Sequence, residues 1–314
     1  MEVIKIDTIY DVKKTEDTIL VLGYFDGLHR GHKALFDEAK KLSQILNLKI
    51  SVLTFPESPK LAFTKFKPDL LKHLSTTEDR LKKFEEYGVD CLYLTDFTSK
   101  FAHTKADDFI RNYIEDLGAK VVVTGFDYTF GNERMGAEYL RKNFSGKVVT
   151  VPAVREPLED GENEELTDKI SSSRIRDAID KGNIKLANKL LGYNFMIEGI
   201  VVHGDARGRT LGFPTANLVL TDNVHLPDDG VYVVDVNYDE KTYRGMASVG
   251  KNVTFDGTEL RLEVNILDFS GDIYGEKLEL IWLDRIRDMV KFDSIEMLVD
   301  QLKDDEEKAR TWVK

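Results

Sequence analysis

The 314-residue chain is short of cysteine, of positive charge and of long apolar runs. Its one cysteine, Cys91, excludes an intrachain disulfide and suits a reducing compartment. Lysine and arginine number 44 against 56 acidic residues, a formal net charge of −12. That balance disfavours unspecific nucleic-acid binding, which needs a basic footprint. It leaves room for a small anionic substrate, because Mg²⁺ and local cations can neutralise phosphate. The opening stretch MEVIKIDTIYDVKK lacks the apolar core of a signal peptide. No uncharged apolar run approaches membrane-spanning length. A cytoplasmic protein is expected, with neither a membrane nor a nucleic-acid partner. There is no internal repeat and no low-complexity tract. What the chain does have is 42% hydrophobic residues, enough for real cores in one large or two ordinary domains.

The two halves follow different patterns. In the first, apolar strand-like runs (Ile19–Leu22, Ile50–Phe55, Cys91–Leu94, Val121–Thr124) alternate with helical spacing over Lys33–Leu46, Thr77–Tyr87 and Lys105–Leu117. Such an order predicts a parallel sheet with ligands at the carboxyl ends of its strands. Gly23–Asp26, Thr54–Pro56 and Gly125–Asp127 fall at those ends. An acidic stretch, Glu156–Asp168, reads as a mobile loop, and helices follow around Ser171–Ile179 and Ile184–Leu191. Beyond Gly192 the strand-like runs Val231–Val236, Tyr243–Val249, Leu260–Phe269 and Leu278–Leu283 have no helix between them. They predict an antiparallel sheet or barrel. A last helix opens near Asp293-Ser294-Ile295-Glu296, a capping-box pattern. Ile295, Leu298, Val299 and Leu302 give it an apolar face. The boundary is expected between residues 185 and 186.

Between the first buried strand and the first helix stands GYFDGLHRGH, residues 23–32. Backbone N–H groups at such a helix start form an anion site. Gly31 permits close backbone approach. His29 and His32, three apart, can both point towards one ligand and donate to phosphate oxygens. A turn with incidental histidines or a zinc pair are the rival readings, although no HExxH or cysteine cluster accompanies the pair.

This stretch resembles the HxGH signature of nucleotidyltransferases. The longer GxFDGxHxGH form is similar to the bifunctional riboflavin kinase/FMN adenylyltransferases, the prokaryotic FAD synthetases. Further segments resemble that family in order: Thr54-Phe55-Pro56-Glu57-Ser58-Pro59, Gly125–Gly131, Ile170–Arg176 and Gly208–Leu218, which carries PTANL. The resemblance covers nearly the whole chain. It implies a Rossmann-like adenylyltransferase domain with a parallel sheet over residues 1–185. An antiparallel β-barrel riboflavin kinase domain with a terminal helix would occupy 186–314.

The implied chemistry has two steps. In FMN adenylylation the FMN phosphate, with a second pKa near 6, attacks the α-phosphorus of ATP and needs alignment more than a base. By resemblance His29, His32 and Arg176 are catalytic there. Gly23, Phe25, Asp26, Gly31, Phe126, Asp127, Ser172 and Ser173 would bind nucleotide or flavin. Asp26 would order the loop or help to hold Mg²⁺. Read as residues alone, Ser171–Ser173 could be a helix cap, Arg176 a solvated charge, and Asp127 a turn residue. In riboflavin phosphorylation a ribityl hydroxyl attacks the γ-phosphorus, so a general base is useful. Glu263 aligns with the family's base, although alternation alone allows a solvated strand residue. Thr215 and Asn217 would hold Mg²⁺·ATP through hard oxygen ligands. Gly204, Gly208, Gly212 and Arg209 would cover the phosphates, where a plain hairpin is the alternative reading. This segment is not a Walker A loop.

The resemblance implies Mg²⁺ with ATP, riboflavin and FMN as substrates, FAD as product, and a monomer or weak homo-oligomer. Three departures stand out: Val253 for proline in Asn252–Phe255, Asn265 for histidine, and Met289 for an acidic residue. They put flavin affinity and kinase rate at issue. A chain with one competent half and a flavin-nucleotide-binding regulator remain as alternatives.

Overall fold

The computed structural model describes residues 1–7, 16–157, 167–204, 207–251 and 260–313. The chain divides into two compact units, Met1–Ser171 and Ser172–Lys314.

The first unit is built on strands β1 (Glu2–Ile6), β2 (Thr18–Leu22), β3 (Lys49–Thr54), β4 (Cys91–Thr95), β5 (Ala119–Gly125) and β6 (Lys147–Val151). They form one parallel sheet in the order β1-β4-β3-β2-β5-β6. All five residues of β2 are buried, as expected of a central parallel strand covered on both faces. Successive side chains of a strand point to opposite faces, so this strand feeds two cores. Leu20 and Leu22 pack with Phe109, Ile114 and Val122. Ile19 and Val21 pack with Leu35, Phe36 and Ala39 of α1 (Arg30–Leu46). Helix α2 (Thr77–Glu86) begins at a capping box between Thr76 and Asp79. The predicted helix over Lys105–Leu117 forms, with a π-helical second half. A short α3 (Ser99–Ala102) precedes α4 (Ala106–Ile110), and a π-helical turn, Arg111–Glu115, continues it. Helix α5 (Ala137–Asn143) lies before β6.

The ends of the expected acidic loop are ordered: β7 (Arg155–Pro157) pairs antiparallel with β8 (Thr167–Lys169). The rest of that stretch, 158–166, lies outside the described residues.

The second unit begins with α6 (Ser172–Asp180) and α7 (Ile184–Leu191). Strands β9 (Met196–Val202), β10 (Ala216–Leu220), β11 (Gly230–Tyr238), β12 (Lys241–Lys251), β13 (Leu260–Ile266) and β14 (Lys277–Arg287) close into a barrel, order β10-β13-β12-β11-β14-β9. Every pairing in it is antiparallel. In the glycine-rich segment after Gly204, where a plain hairpin was the alternative reading, the chain forms a helical turn, α8 (Arg207–Thr210). Asp205 and Ala206 fall outside the described residues, as does Asn252–Phe255. The terminal helix α9 (Ile295–Thr311) is capped by Ser294, which accepts from the Met297 N–H at 3.3 Å. A methionine thus takes the third helical position, where a capping box would place an acid. Arg287 on β14 ties this helix down by a two-pronged ion pair to the fully buried Asp305.

Candidate active sites

The first site grows from the end of β2. The chain turns sharply through Phe25 (φ 59°), Gly27 (φ 77°) and Leu28 (φ 37°). Two non-glycine residues in the left-handed region mark local strain. The turn is held by its neighbours: buried Asp26 accepts the Leu74 N–H at 2.9 Å, and the Gly27 N–H donates to Ser75 Oγ at 3.1 Å. Gly23 is needed because a Cβ there would come within 2.7 Å of the Phe25 ring. Phe25 itself is buried and meets the His32 ring in a T-shaped arrangement, centroids 5.2 Å apart.

His29 caps α1: its Nδ1 accepts the His32 N–H at 3.3 Å. An accepting Nδ1 leaves the proton of the neutral ring on Nε2. The two imidazoles stack at 3.7 Å with 16° between planes. Burial pushes the His29 pKa down to about 4. Burial first, then His29 and Arg80, hold His32 well below the ordinary histidine value. Both rings are therefore neutral at pH 7, and each has one N–H to donate without carrying charge. His32 Nδ1 is buried with no protein partner. A Cβ at Gly31 would stand 3.1 Å from the His29 ring and 3.4 Å from the Ile170 carbonyl. The glycine of the motif thus lets β8's outgoing chain approach the helix.

Arg30, between the two histidines, pairs with buried Glu156 on β7. At the end of β5, Phe126 is 48% exposed. Asp127 pairs with Lys169 at 2.9 Å, and the same ammonium lies 5.3 Å from the Phe126 ring centroid. At the end of β3, Thr54 donates to the Tyr24 carbonyl at 2.8 Å. Tyr24 bonds His73 at 3.1 Å, and His73 meets Glu57 at 3.1 Å. Sequence reasoning missed Arg30, His73, Arg80 and Glu156. For Arg80 a signal existed: it lies four residues before the buried Phe84, on the apolar side of α2.

Ser172, Ser173 and Arg176 stand in the first turns of α6, which belongs to the second unit.

The second unit holds a cavity of about 190 Å³. Phe213, Met246, Val290, Phe292, Leu298 and Leu302 make it largely apolar, and Arg261, Glu263, Asn265, Thr215 and the Arg287–Asp305 pair add polar groups. The alternation of β13 explains its placement. Leu262, Val264 and Ile266 are buried, while Arg261, Glu263 and Asn265 line the cavity. Thr215 donates to Glu263 Oε2 at 3.1 Å, and Asn217 sits opposite Glu263 in the β10–β13 register. The structure therefore gathers the predicted base and both predicted metal ligands. A Cβ at Gly204 would collide with the Asn217 amide at 2.2 Å, and one at Gly208 with the Phe213 carbonyl at 2.2 Å. Gly212 needs its positive φ of 83°, and Arg209 is exposed. Asn265 donates to the Pro214 carbonyl at 2.7 Å, so it pins the turn that carries Thr215. Met289 lies on the cavity wall, 3.8 Å from Ser248 Oγ. Among the described residues no group of three or more His, Cys, Asp or Glu side chains could hold a metal. The hydroxyl and amide oxygens of Thr215 and Asn217 are hard donors of the kind that Mg²⁺ takes while keeping waters and phosphate oxygens.

The FAD synthetase family profile matches residues 11–174. The riboflavin kinase profile matches residues 191–313. Proteins named bifunctional riboflavin kinase/FMN adenylyltransferase are similar along almost their whole length. That of Listeria monocytogenes is 38% identical over 94% of this chain and 92% of its own. Those of Bacillus subtilis and Escherichia coli K12 are 36% and 35% identical, over 93% and 94% of this chain and 91% and 92% of theirs. A solved structure described as a macrolide-efflux protein from Streptococcus pneumoniae is 52% identical, covers 100% of both chains and has a TM-score of 0.91. Among the described residues here, no helix is long and apolar enough to cross a membrane. The chain belongs to the bifunctional riboflavin kinase/FMN adenylyltransferase family.

Proposed function

We propose that this chain phosphorylates riboflavin to FMN and then adenylylates FMN to FAD, using ATP in both steps. The observation that carries the reading is the Thr215–Glu263 contact at 3.1 Å beside an apolar cavity. It puts a carboxylate and hard oxygen donors where a planar apolar substrate would end in a hydroxyl. Glu263 takes the proton of that hydroxyl as its oxygen attacks the γ-phosphorus and ADP leaves. The Thr215 hydroxyl can give its proton to Glu263 and still offer a lone pair to a cation. Mg²⁺ held with Thr215 and Asn217 would neutralise the transferring phosphoryl charge. Gly204, Gly208, Gly212 and Arg209 are read as the segment over the ATP phosphates.

In adenylylation an FMN phosphate oxygen attacks the α-phosphorus and pyrophosphate leaves. The neutral rings of His29 and His32 donate to phosphate oxygens; Gly23, Gly31, Phe25 and Asp26 shape their seat. Phe126 and Asp127 are proposed for the flavin or nucleotide, and Ser172, Ser173 and Arg176 for the β- and γ-phosphates. We place the functional division between 185 and 186. The gap between the two family matches, 174 to 191, supports it.

The test is a product time course with riboflavin and Mg²⁺·ATP, resolved by chromatography. FMN followed by FAD is expected. A second reading, one competent half, draws on Met289 and Asn265 in the kinase cavity. It predicts FAD from supplied FMN and no product from riboflavin.

A further inference from the structure

Arg80 is 2% exposed, on the inward side of α2. Its guanidinium makes four hydrogen bonds, and every acceptor is a main-chain carbonyl. Nη1 donates to Tyr24 at 3.1 Å and to Phe55 at 3.0 Å; Nη2 donates to Phe55 at 3.0 Å and to Pro56 at 3.2 Å. The guanidinium carbon also lies 5.5 Å from the Tyr24 ring centroid. Tyr24 belongs to the segment leaving β2, and Phe55 and Pro56 to the segment leaving β3. One fork therefore spans both strand ends, and Thr54 adds a second link through the Tyr24 carbonyl.

Carbonyls solvate a cation but do not neutralise it. Among the described residues no carboxylate forms an ion pair with Arg80. The two acids whose charge reaches it are engaged elsewhere: Asp26 accepts the Leu74 N–H, and Glu57 meets His73. Burying an unpaired charge is strongly unfavourable. A methionine of similar length would fill the same space without that penalty. The charge is felt at the HxGH motif, where it helps to keep His32 neutral. A buried positive charge without a pairing acid, beside two neutral N–H donors and a helix start, is complementary to a polyphosphate.

We propose that Arg80 is a positioning residue of the first site: it locks the strand-end segments of β2 and β3 together through their carbonyls and keeps its charge for the nucleotide phosphates held beside His32. The inference rests on the reading of the first unit as the FMN adenylyltransferase.

The experiment compares the full-length parent with Arg80→Met and Arg80→Lys, measuring kcat and KM for ATP in FMN adenylylation and in riboflavin phosphorylation. Arg80→Met is expected to lower kcat/KM for adenylylation by about 100-fold, the scale of losing one preorganised electrostatic group. Kinase constants should stay at parental values. Arg80→Lys, which restores the charge without the fork, is expected to recover about tenfold of the loss. Adenylylation within about twofold of the parent in Arg80→Met would overturn the proposal, because a merely structural arginine would show only in thermal stability. A lysine variant as poor as the methionine variant would also overturn it. Should Arg80→Met not fold, the lysine variant decides alone: adenylylation within about tenfold of parent supports the proposal, and a loss beyond about 100-fold refutes it. A parent that makes no FAD from FMN would instead overturn the reading of the first unit, and this inference with it.

Discussion

The two sites are made of different materials. The motif turn of the first is held largely through main chain: a side chain capping a backbone N–H, a guanidinium on three carbonyls and a carboxylate on an amide. The second is assembled largely from side chains meeting side chains: Thr215 with Glu263, Arg287 with Asp305, and a wall of Met246, Met289, Val290 and Phe292. A backbone-built site fixes geometry through φ and ψ and has few positions that can change. A side-chain-built site can exchange residues one at a time. All three departures from the family pattern fall in the kinase half of the sequence, and two of them, Asn265 and Met289, line the second site. Asn265 donates to the Pro214 carbonyl and so holds the turn that carries Thr215.

That contrast can be broken or sharpened by experiment. The largest effect is expected from Glu263→Gln, which keeps shape and removes basicity. Riboflavin phosphorylation should fall on the order of 10³-fold, with FMN adenylylation unchanged. Unchanged phosphorylation would remove Glu263 as the base. Gly31→Ala comes next: its Cβ would press on the His29 ring and the Ile170 carbonyl. Adenylylation should drop by roughly 10- to 100-fold, as expected when a phosphate donor is displaced, while kinase turnover holds. Equal loss of both activities would show that the sites are not independent.

Asp305→Ala tests the side-chain-built half through stability. It leaves Arg287 without its buried partner, and unfolding of the second unit should become easier by about 3 kcal/mol. Denaturant melts followed at Trp282 and Trp312 would report it, and an unmoved transition would make the pair dispensable. The smallest effect concerns pH. His29 is neutral in the folded protein down to about pH 4, whereas an unfolded histidine takes its proton near pH 6.5. Above pH 6.5 the fold has the full benefit. Stability then falls as pH drops from 6.5 towards 4, by on the order of 2 kcal/mol at pH 5, and levels off below. His32 acts in the same direction. His29→Gln should flatten that slope, and a slope that persists would assign it to other groups.

Much of this was legible in the amino-acid order. The continuous apolar run Ile19–Leu22 of β2 announced a buried strand, and the spacing of Leu35, Ala39 and Leu42 marked the buried side of α1. The strand β9, with Gly199 inside it, and the short β10 beside PTANL carry too little alternation to be read alone. The edge strand β1, three of whose five residues are exposed, was missed for the same reason. Glu263 shows a deeper limit. Alternation shows that it faces away from the barrel interior, but solvent and cavity are the same to the strand. Residues 208–215, 287–292 and α9, all far from Glu263 in sequence, make the difference. The burial of Arg80 could be read from its spacing to Phe84, but not its partners, which are carbonyls that every residue has.

Closure of the barrel has a practical consequence for β13. In an open sheet an outer strand can slide, and a shift of one residue exchanges its two faces. Here β13 is bonded on both sides, to β10 and to β12, within a ring that has no free edge. Sliding it by one position would require the ring to reopen. Leu262 therefore cannot trade places with Glu263 by a slip of the whole strand. Anyone lengthening or splicing the domain has the turn after Tyr238 or the segment after Ile266 to work with, rather than the strand that carries Glu263.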